Sequence, residues 1–184
     1  MLKILSITLT FLLTCGTIIK AEPASTLILA ISQINADVLF MRHALAPGFG
    51  DPANFQLDDC KTQRNLDEAG KQQAKLIGRE LLNSGIHFNE ILSSKWCRCK
   101  ETVSLLNIGK WKTFSGLNSF FQNYVNKEKT LTNLRRKLSN LNEGVTLMVT
   151  HQVVISAITG SASRSGEFVA YNTKTKASVN VSLN

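Results

Sequence analysis

Apolar residues in this chain come in short blocks whose spacing switches between the two-residue repeat of strands and the three-to-four-residue repeat of helices. TLILAISQIN is a candidate lead-in helix, after which ADVLFM has strand character and ends at Arg42. Residues 47–62, PGFGDPANFQLDDCKT, are dense in Gly, Pro, Asp and Asn and predict a long loop. Loops of that length in compact domains tend to carry function. In LDEAGKQQAKLIGRELLNSG an apolar line through Ala74, Ile77 and Leu81 has helical spacing, with Asp67 as N-cap and Gly85 as the stop. FNEILSS predicts a second strand, KWCRCKETVSLLNIG a second helix beginning close to Arg98, and WKTFSGLNSFF a short strand running into a loop.

Residues 128–141 return to helical spacing through Leu131, Leu134, Leu138 and Leu141. GVTLMVTH is a buried-type strand ending at His151, followed by the apolar helix candidate VVISAIT. The tail GEFVAYNTKTKASVNVSL alternates as a hairpin turning near Asn172–Lys174. Strands alternating with helices predict an α/β fold, a three-layer sandwich with a mainly parallel central sheet. The carboxyl ends of such strands line the ligand crevice. His43 and His151 both end strands and Arg98 follows the second strand, so all three are expected at one edge.

The first residues change the picture of the chain's extent. MLKILSITLTFLLTCGTIIKAEPAS carries a lysine, an uncharged run from Ile4 to Ile19 and small residues near Ala21, the pattern of a secretory signal peptide cleaved after Ala21. A retained membrane anchor is the alternative, and LLTC at Cys15 resembles a lipobox with Thr14 in a poor position. The expected organisation is therefore a signal peptide over 1–21 and a single domain over 22–184, periplasmic or secreted and without stable membrane insertion after cleavage. No repeat, low-complexity tract or Gly/Ser linker divides it.

The formal charge is +8, from which cleavage removes Lys3 and Lys20 and no acid. LRRKL at 134–138 is the only dense basic cluster, and no aromatic residues interleave with it as a nucleic-acid stacking platform needs. Nucleic acid is not an expected partner; the positive balance favours anionic substrates in general. Three cysteines remain after Ala21, in a compartment that oxidises thiols if the chain is exported. Cys97 and Cys99 are too close to pair easily, so Cys60 is expected to bond one of them, with Cys99 the expected partner and Cys97 the alternative. No CxxC pair exists and only His43, His87 and His151 could add imidazole ligands, so no metal site is expected.

VLFMRHALAPG brings the first chemistry, because Arg42 makes an imidazolium at His43 harder to form. A neutral imidazole is a nucleophile and the arginine beside it binds oxyanions, which points to chemistry on an anion. Phosphoryl transfer through a covalent intermediate needs an in-line nucleophile and positive groups around the equatorial oxygens. His43 can attack, Arg42 and Arg98 can clamp the oxygens with planar forks, and a protonated His151 would add a third donor. Arg64, Asn54 and Gln152 are candidate substrate contacts. His87 reads as a surface or packing residue, and Trp96 and Trp111 as core or rim packing.

Other chemistries lose their usual support. The sixth residue after each cysteine is Ala21, Leu66, Val103 or Leu105, never the arginine a cysteine-based phosphatase requires. Neither GxxxxGK nor GxSxG occurs.

The segments RHA, RNLDEAGKQQA, ILSSKWCRCKETV and VTHQVVISAITG, in this order and spacing over roughly 37–160, resemble the histidine phosphatase superfamily with its phosphoglycerate mutase-like fold. RHA stands where that family usually shows RHG. The resemblance implies a phosphohistidine on His43, a phosphate pocket of Arg42, Arg98 and His151, and no cofactor. Small exported members include phosphohistidine phosphatases and a phosphatase of lipopolysaccharide-core heptose phosphate, so the implied substrate is a small phosphorylated molecule or a phosphoprotein.

Two departures bear on the chemistry. Mutase-type members carry a glutamate acid in LNE where this chain has Ser119, and the acid-phosphatase branch carries an aspartate after the second histidine where this chain has Gln152. General acid catalysis is worth about 10²–10⁴-fold, so ordinary monoesters are expected to be slow substrates. Asp51, Asp58 or Asp59 can substitute, or the substrate has a good leaving group. The expected function is a metal-independent exported phosphatase; the alternative is a catalytically weak or inactive phosphate-binding module of the same fold.

Overall fold

The computed structural model describes residues 23–183. The expected leader over 1–21, Cys15 included, lies outside the described residues. The elements are α1 (Pro23–Ile34), β1 (Val38–Arg42), α2 (Glu68–Asn83), β2 (Phe88–Ser93), α3 (Cys97–Leu106), β3 (Lys112–Thr113), α4 (Lys127–Leu138), β4 (Val145–Thr150), α5 (Gln152–Thr159), β5 (Phe168–Tyr171) and β6 (Ser178–Val181). Among the described residues no helix is long and apolar enough to cross a membrane.

The strands form one six-stranded sheet in the order β3-β2-β4-β1-β5-β6. β1 pairs with β4, and β2 with β4 and β3, in parallel; β5 and β6 add an antiparallel hairpin on the β1 side. Alternation along β1 makes two cores. Leu39 and Met41 pack with Ile77 and Leu81 of α2 and Val103 of α3 on one face. Val38 and Phe40 pack with Leu134 of α4 and Val154 and Ile155 of α5 on the other. The architecture is the three-layer sandwich expected from the alternating elements.

Helix α2 follows its sequence pattern closely. Asp67 Oδ1 accepts the Gly70 N–H at 2.8 Å, and Gly70, Ala74, Ile77, Gly78 and Leu81 are buried. Two of these positions need glycine for space: a Cβ on Gly70 would run into the Leu45 carbonyl, and one on Gly78 into the Leu106 carbonyl of α3. α2 is thereby drawn against both α3 and the segment just after His43. At the hairpin, Asn172 Oδ1 accepts from the Lys174 and Thr175 N–H groups at 2.9 Å, so the turn falls where the alternation breaks.

The predicted loop 47–62 is more ordered than its composition suggests. It closes with a bridge between Gln56 and Asp59 and a 3-10 turn at Cys60–Thr62, capped by Asp59. The disulfide corrects the expected pairing: Cys60 bonds Cys97, with Cα atoms 5.6 Å apart, and Cys99 is a buried free thiol. Two residues along a helix turn the side chain by about 200°, so Cys97 faces the loop while Cys99 faces the sheet and touches the Thr150 carbonyl.

Candidate active site

β1 and β4 are adjacent and parallel, and they lead into helices on opposite faces of the sheet. A crevice opens at the carboxyl ends of such a pair. His43 follows β1 and His151 follows β4, and the His43 N–H donates to the Thr150 carbonyl at 2.9 Å. The two imidazoles, 108 positions apart by their numbering, sit with ring centroids 5.4 Å apart. Arg98, in the first turn of α3, lies between them. All three are almost fully buried.

The hydrogen bonds assign the imidazole protons. His43 Nδ1 lies 2.8 Å from the Ala44 carbonyl, which can only accept, so the proton is on Nδ1. Nε2 keeps its lone pair and accepts from Arg98 Nε at 3.2 Å. Burial first, then the charge of Arg98, holds the His43 pKa well below the ordinary imidazole value. The result is a neutral imidazole with its nucleophilic nitrogen turned to a guanidinium.

His151 is arranged differently. Arg98 Nη2 is 3.5 Å from its Nδ1, and its Nε2 is 2.9 Å from Ser94 Oγ. Ser94 Oγ in turn donates to Asn118 Oδ1, which also accepts the Lys95 N–H at 2.9 Å. Burial and then Arg98 hold the His151 pKa well below the ordinary imidazole value as well, which favours the neutral ring in the anion-free site. Cys99 Sγ approaches the same Nε2 at 3.4 Å, and burial pushes its thiol pKa up to about 12.

Asp51 is inside the site, but as a fixed anion. Its carboxylate takes Arg98 Nη1 at 2.7 Å, Arg98 Nη2 at 3.2 Å, the Arg64 N–H at 3.0 Å and Trp96 Nε1 at 3.0 Å. Burial raises its pKa, but the Arg98 hydrogen bonds and charge outweigh that and hold it below the usual carboxylate range. Asp58 and Asp59 are exposed, and Asp59 spends its Oδ1 on the Lys61 N–H, so neither is brought to His43.

The remaining predicted contacts divide. Arg42 Nη1 donates to Gln152 Oε1 at 2.9 Å and to the Ser163 carbonyl at 2.8 Å, leaving its Nε–H buried without an acceptor among the described residues. Arg64 braces the loop, donating to the Ala46 and Gly50 carbonyls. Asn54 is exposed on the loop and Ser119 is buried, its hydroxyl accepting the Phe121 N–H.

Several supporting residues carried no sequence signal. Thr102 Oγ1 accepts the Ala44 N–H at 3.0 Å and donates to the Arg98 carbonyl, tying the residue after His43 to α3. Gln63 Oε1 takes the Cys97 N–H at 2.9 Å, satisfying a first-turn donor of α3 that Trp96, its N-cap, does not. Phe55 stacks on both Trp96 and Tyr124, and Trp96 in turn meets His151 edge to face.

Three guanidinium groups, Arg42, Arg64 and Arg98, thus surround two neutral imidazoles and one carboxylate. Such a site favours a small multiply charged anion and presents one nucleophilic nitrogen to it. A cavity of about 1090 Å³ lies at the opposite edge of the sheet, by Asp37, Tyr171 and Lys174, and contains none of these groups.

No protein-family profile and no curated protein sequence matches the chain. Solved structures do. A candidate alpha-ribazole-5'-P phosphatase from Escherichia coli superposes with a TM-score of 0.58 at 16% identity, over 80% of this chain and 95% of that one. The protein histidine phosphatase SixA complexed with tungstate gives 0.50 at 17% identity, over 79% and 96%. Phosphoglycerate mutase from Thermus thermophilus gives 0.57 at 13% identity, over 80% and 99%. The chain has the phosphoglycerate mutase-like fold, the same fold on which the protein histidine phosphatase SixA is built.

Proposed function

We propose that this chain is a phosphatase that works through a phosphohistidine on His43 Nε2. The observation that carries this is the proton assignment at His43: Nδ1 is committed to the Ala44 carbonyl, and Nε2 is unprotonated, its electron pair accepting from Arg98 Nε until an anion takes that donor. In the first step Nε2 bonds to phosphorus and the bond to the leaving group breaks, its electron pair departing with that group. Arg98 and Arg42 hold the equatorial oxygens, where charge concentrates. In the second step water attacks the phosphohistidine, the N–P bond breaks and phosphate is released. The fixed guanidinium charges supply what a metal would otherwise supply, which supports metal-independent turnover.

The fold shared with two phosphatases supports a small phosphorylated molecule or phosphoprotein as substrate. The Cys60–Cys97 disulfide supports an exported, periplasmic or secreted protein. A second reading, a phosphate-binding module with little turnover, is favoured by one observation: among the described residues no carboxylic acid in the site is free to protonate a leaving group.

One experiment separates the two. After a quench during turnover of an activated phosphate ester, the intact chain is expected to carry an acid-labile, alkali-stable phosphoryl group on the His43 peptide. His43→Ala is expected to lose both the adduct and at least about 10³-fold of the rate. Vanadate binding without adduct or turnover would establish the binding module, and activity lost to a chelator and restored by a divalent ion would overturn the mechanism.

A further inference from the structure

We propose that the group leaving from phosphorus is an aromatic ring, received by an exposed aromatic lip formed by Phe49 and Phe121; this rests on the phosphatase reading above. Phe49 is 90% exposed and meets Phe121 edge to face, with centroids 5.2 Å apart. The two rings, one of them almost wholly in water, form an apolar surface on which a further aromatic ring can pack.

This phenylalanine is not on a loose tip. Gly48 and Gly50 flank it with φ of +91° and +70°, turning the chain so that the ring points outward. Arg64 grips the carbonyls of Ala46 and Gly50 on either side. One residue further on, the Asp51 N–H donates to Gln122 Oε1 at 2.6 Å while the Asp51 carboxylate holds Arg98. Phe121 belongs to the facing segment, where Gln122 and Asn123 both sit at φ 61°, a conformation costly without glycine. Tyr124 Oη donates to the Pro52 carbonyl at 2.9 Å. The two segments are laced together beside the anion site, and the lip is the apolar surface that results.

The chemistry of the site points to the same occupant. Every carboxylate near Arg42 and Arg98 is engaged: Asp51 accepts from four donors, and Glu167 accepts the Arg164 N–H at 2.6 Å. Ser119 accepts the Phe121 N–H and Gln152 accepts from Arg42, and neither side chain is an acid. A leaving group therefore departs without a proton from the site, which an aliphatic alkoxide does poorly, an aryloxide does readily, and an imidazole does readily only when its far ring nitrogen already carries a proton, so that it leaves neutral. Nε2 of His43 bonds to phosphorus, the bond from phosphorus to the ring oxygen or nitrogen breaks, and the electron pair stays on that ring atom; a released aryloxide takes a proton from water, whereas an imidazole that arrives protonated on its far nitrogen leaves as the neutral ring.

The test compares phenyl phosphate with a fluorinated alkyl phosphate whose alcohol is as acidic as phenol, so that intrinsic leaving ability cancels, using the intact chain, Phe49→Ala and Phe49→Trp. The preference for phenyl over alkyl, as the ratio of kcat/KM, is expected to fall about three- to tenfold in Phe49→Ala, mainly through KM, and to return in Phe49→Trp. Phosphoimidazole in a parallel arm shows whether ring nitrogen or ring oxygen is the better leaving atom. An unchanged ratio in Phe49→Ala, with both substrates still hydrolysed, would overturn the aromatic lip and leave the phosphatase reading intact. Absence of turnover on every substrate would remove both.

Discussion

At the scale of single residues, the site is governed by where its protons sit. His43 and His151 both have pKa values pushed well below the ordinary imidazole value by burial and by Arg98. Each therefore binds a proton more readily in the unfolded chain. Their contribution to stability is complete above pH about 6.5 and is lost as pH falls below it toward the folded-state values. Unfolding in urea at pH 7, 6 and 5 is expected to show this loss. His151→Asn is expected to shallow the slope by up to about 1.4 kcal/mol per pH unit, whatever it does to the absolute stability. An unaltered slope would mean that His151 carries its proton in the folded protein. Thr102→Val removes the acceptor of the buried Ala44 N–H, and it is expected to cost about 1–3 kcal/mol. Because Ala44 also accepts from His43, the same variant is expected to lower kcat more than KM rises.

At the scale of elements, two glycines on α2 set how close it comes to its neighbours. Gly78→Ala would press a methyl group against the Leu106 carbonyl, with an expected cost of about 1–3 kcal/mol and no effect on activity beyond it. Gly70→Ala presses instead on the Leu45 carbonyl, two residues after His43, so on the phosphatase reading it is expected to reduce kcat as well as the melting temperature. Measuring both in parallel separates packing from positioning. The elements themselves were legible: Asp67, the Ala74–Ile77–Leu81 line and the apolar runs before His43 and His151 are local patterns, and local patterns survive folding. Convergence of Arg42, His43, Arg98 and His151 was legible too, because strand ends in this architecture share an edge. The roles of Asp51, Thr102, Ser94 and Gln63 were not, since each depends on a partner 20 or more residues away whose direction no spacing encodes. The disulfide failed for a related reason: Cys97 and Cys99 differ only in the helix face they occupy, and that face is decided by packing.

At the scale of the whole molecule, the Cys60–Cys97 bond ties the long loop to the helix that carries Arg98, spanning 37 residues of sequence. Loop closure on that scale is worth about 3–4 kcal/mol, so Cys60→Ser is expected to unfold at markedly lower urea. Within residues 22–184 one thiol, Cys99, is expected to stay unreactive toward a thiol reagent in the native state and to react once the chain is denatured. The position of β4 has a further consequence for the order in which the protein is made. This strand is encoded late, yet it lies between β1 and β2, so a growing polypeptide that has not reached residue 150 has a gap where the middle of its sheet belongs. His43 is translated more than a hundred codons before the strand that completes its surroundings. An unfinished chain thus lacks the strand that brings His151 beside His43, and on the phosphatase reading proposed above it is inactive until synthesis nears its end.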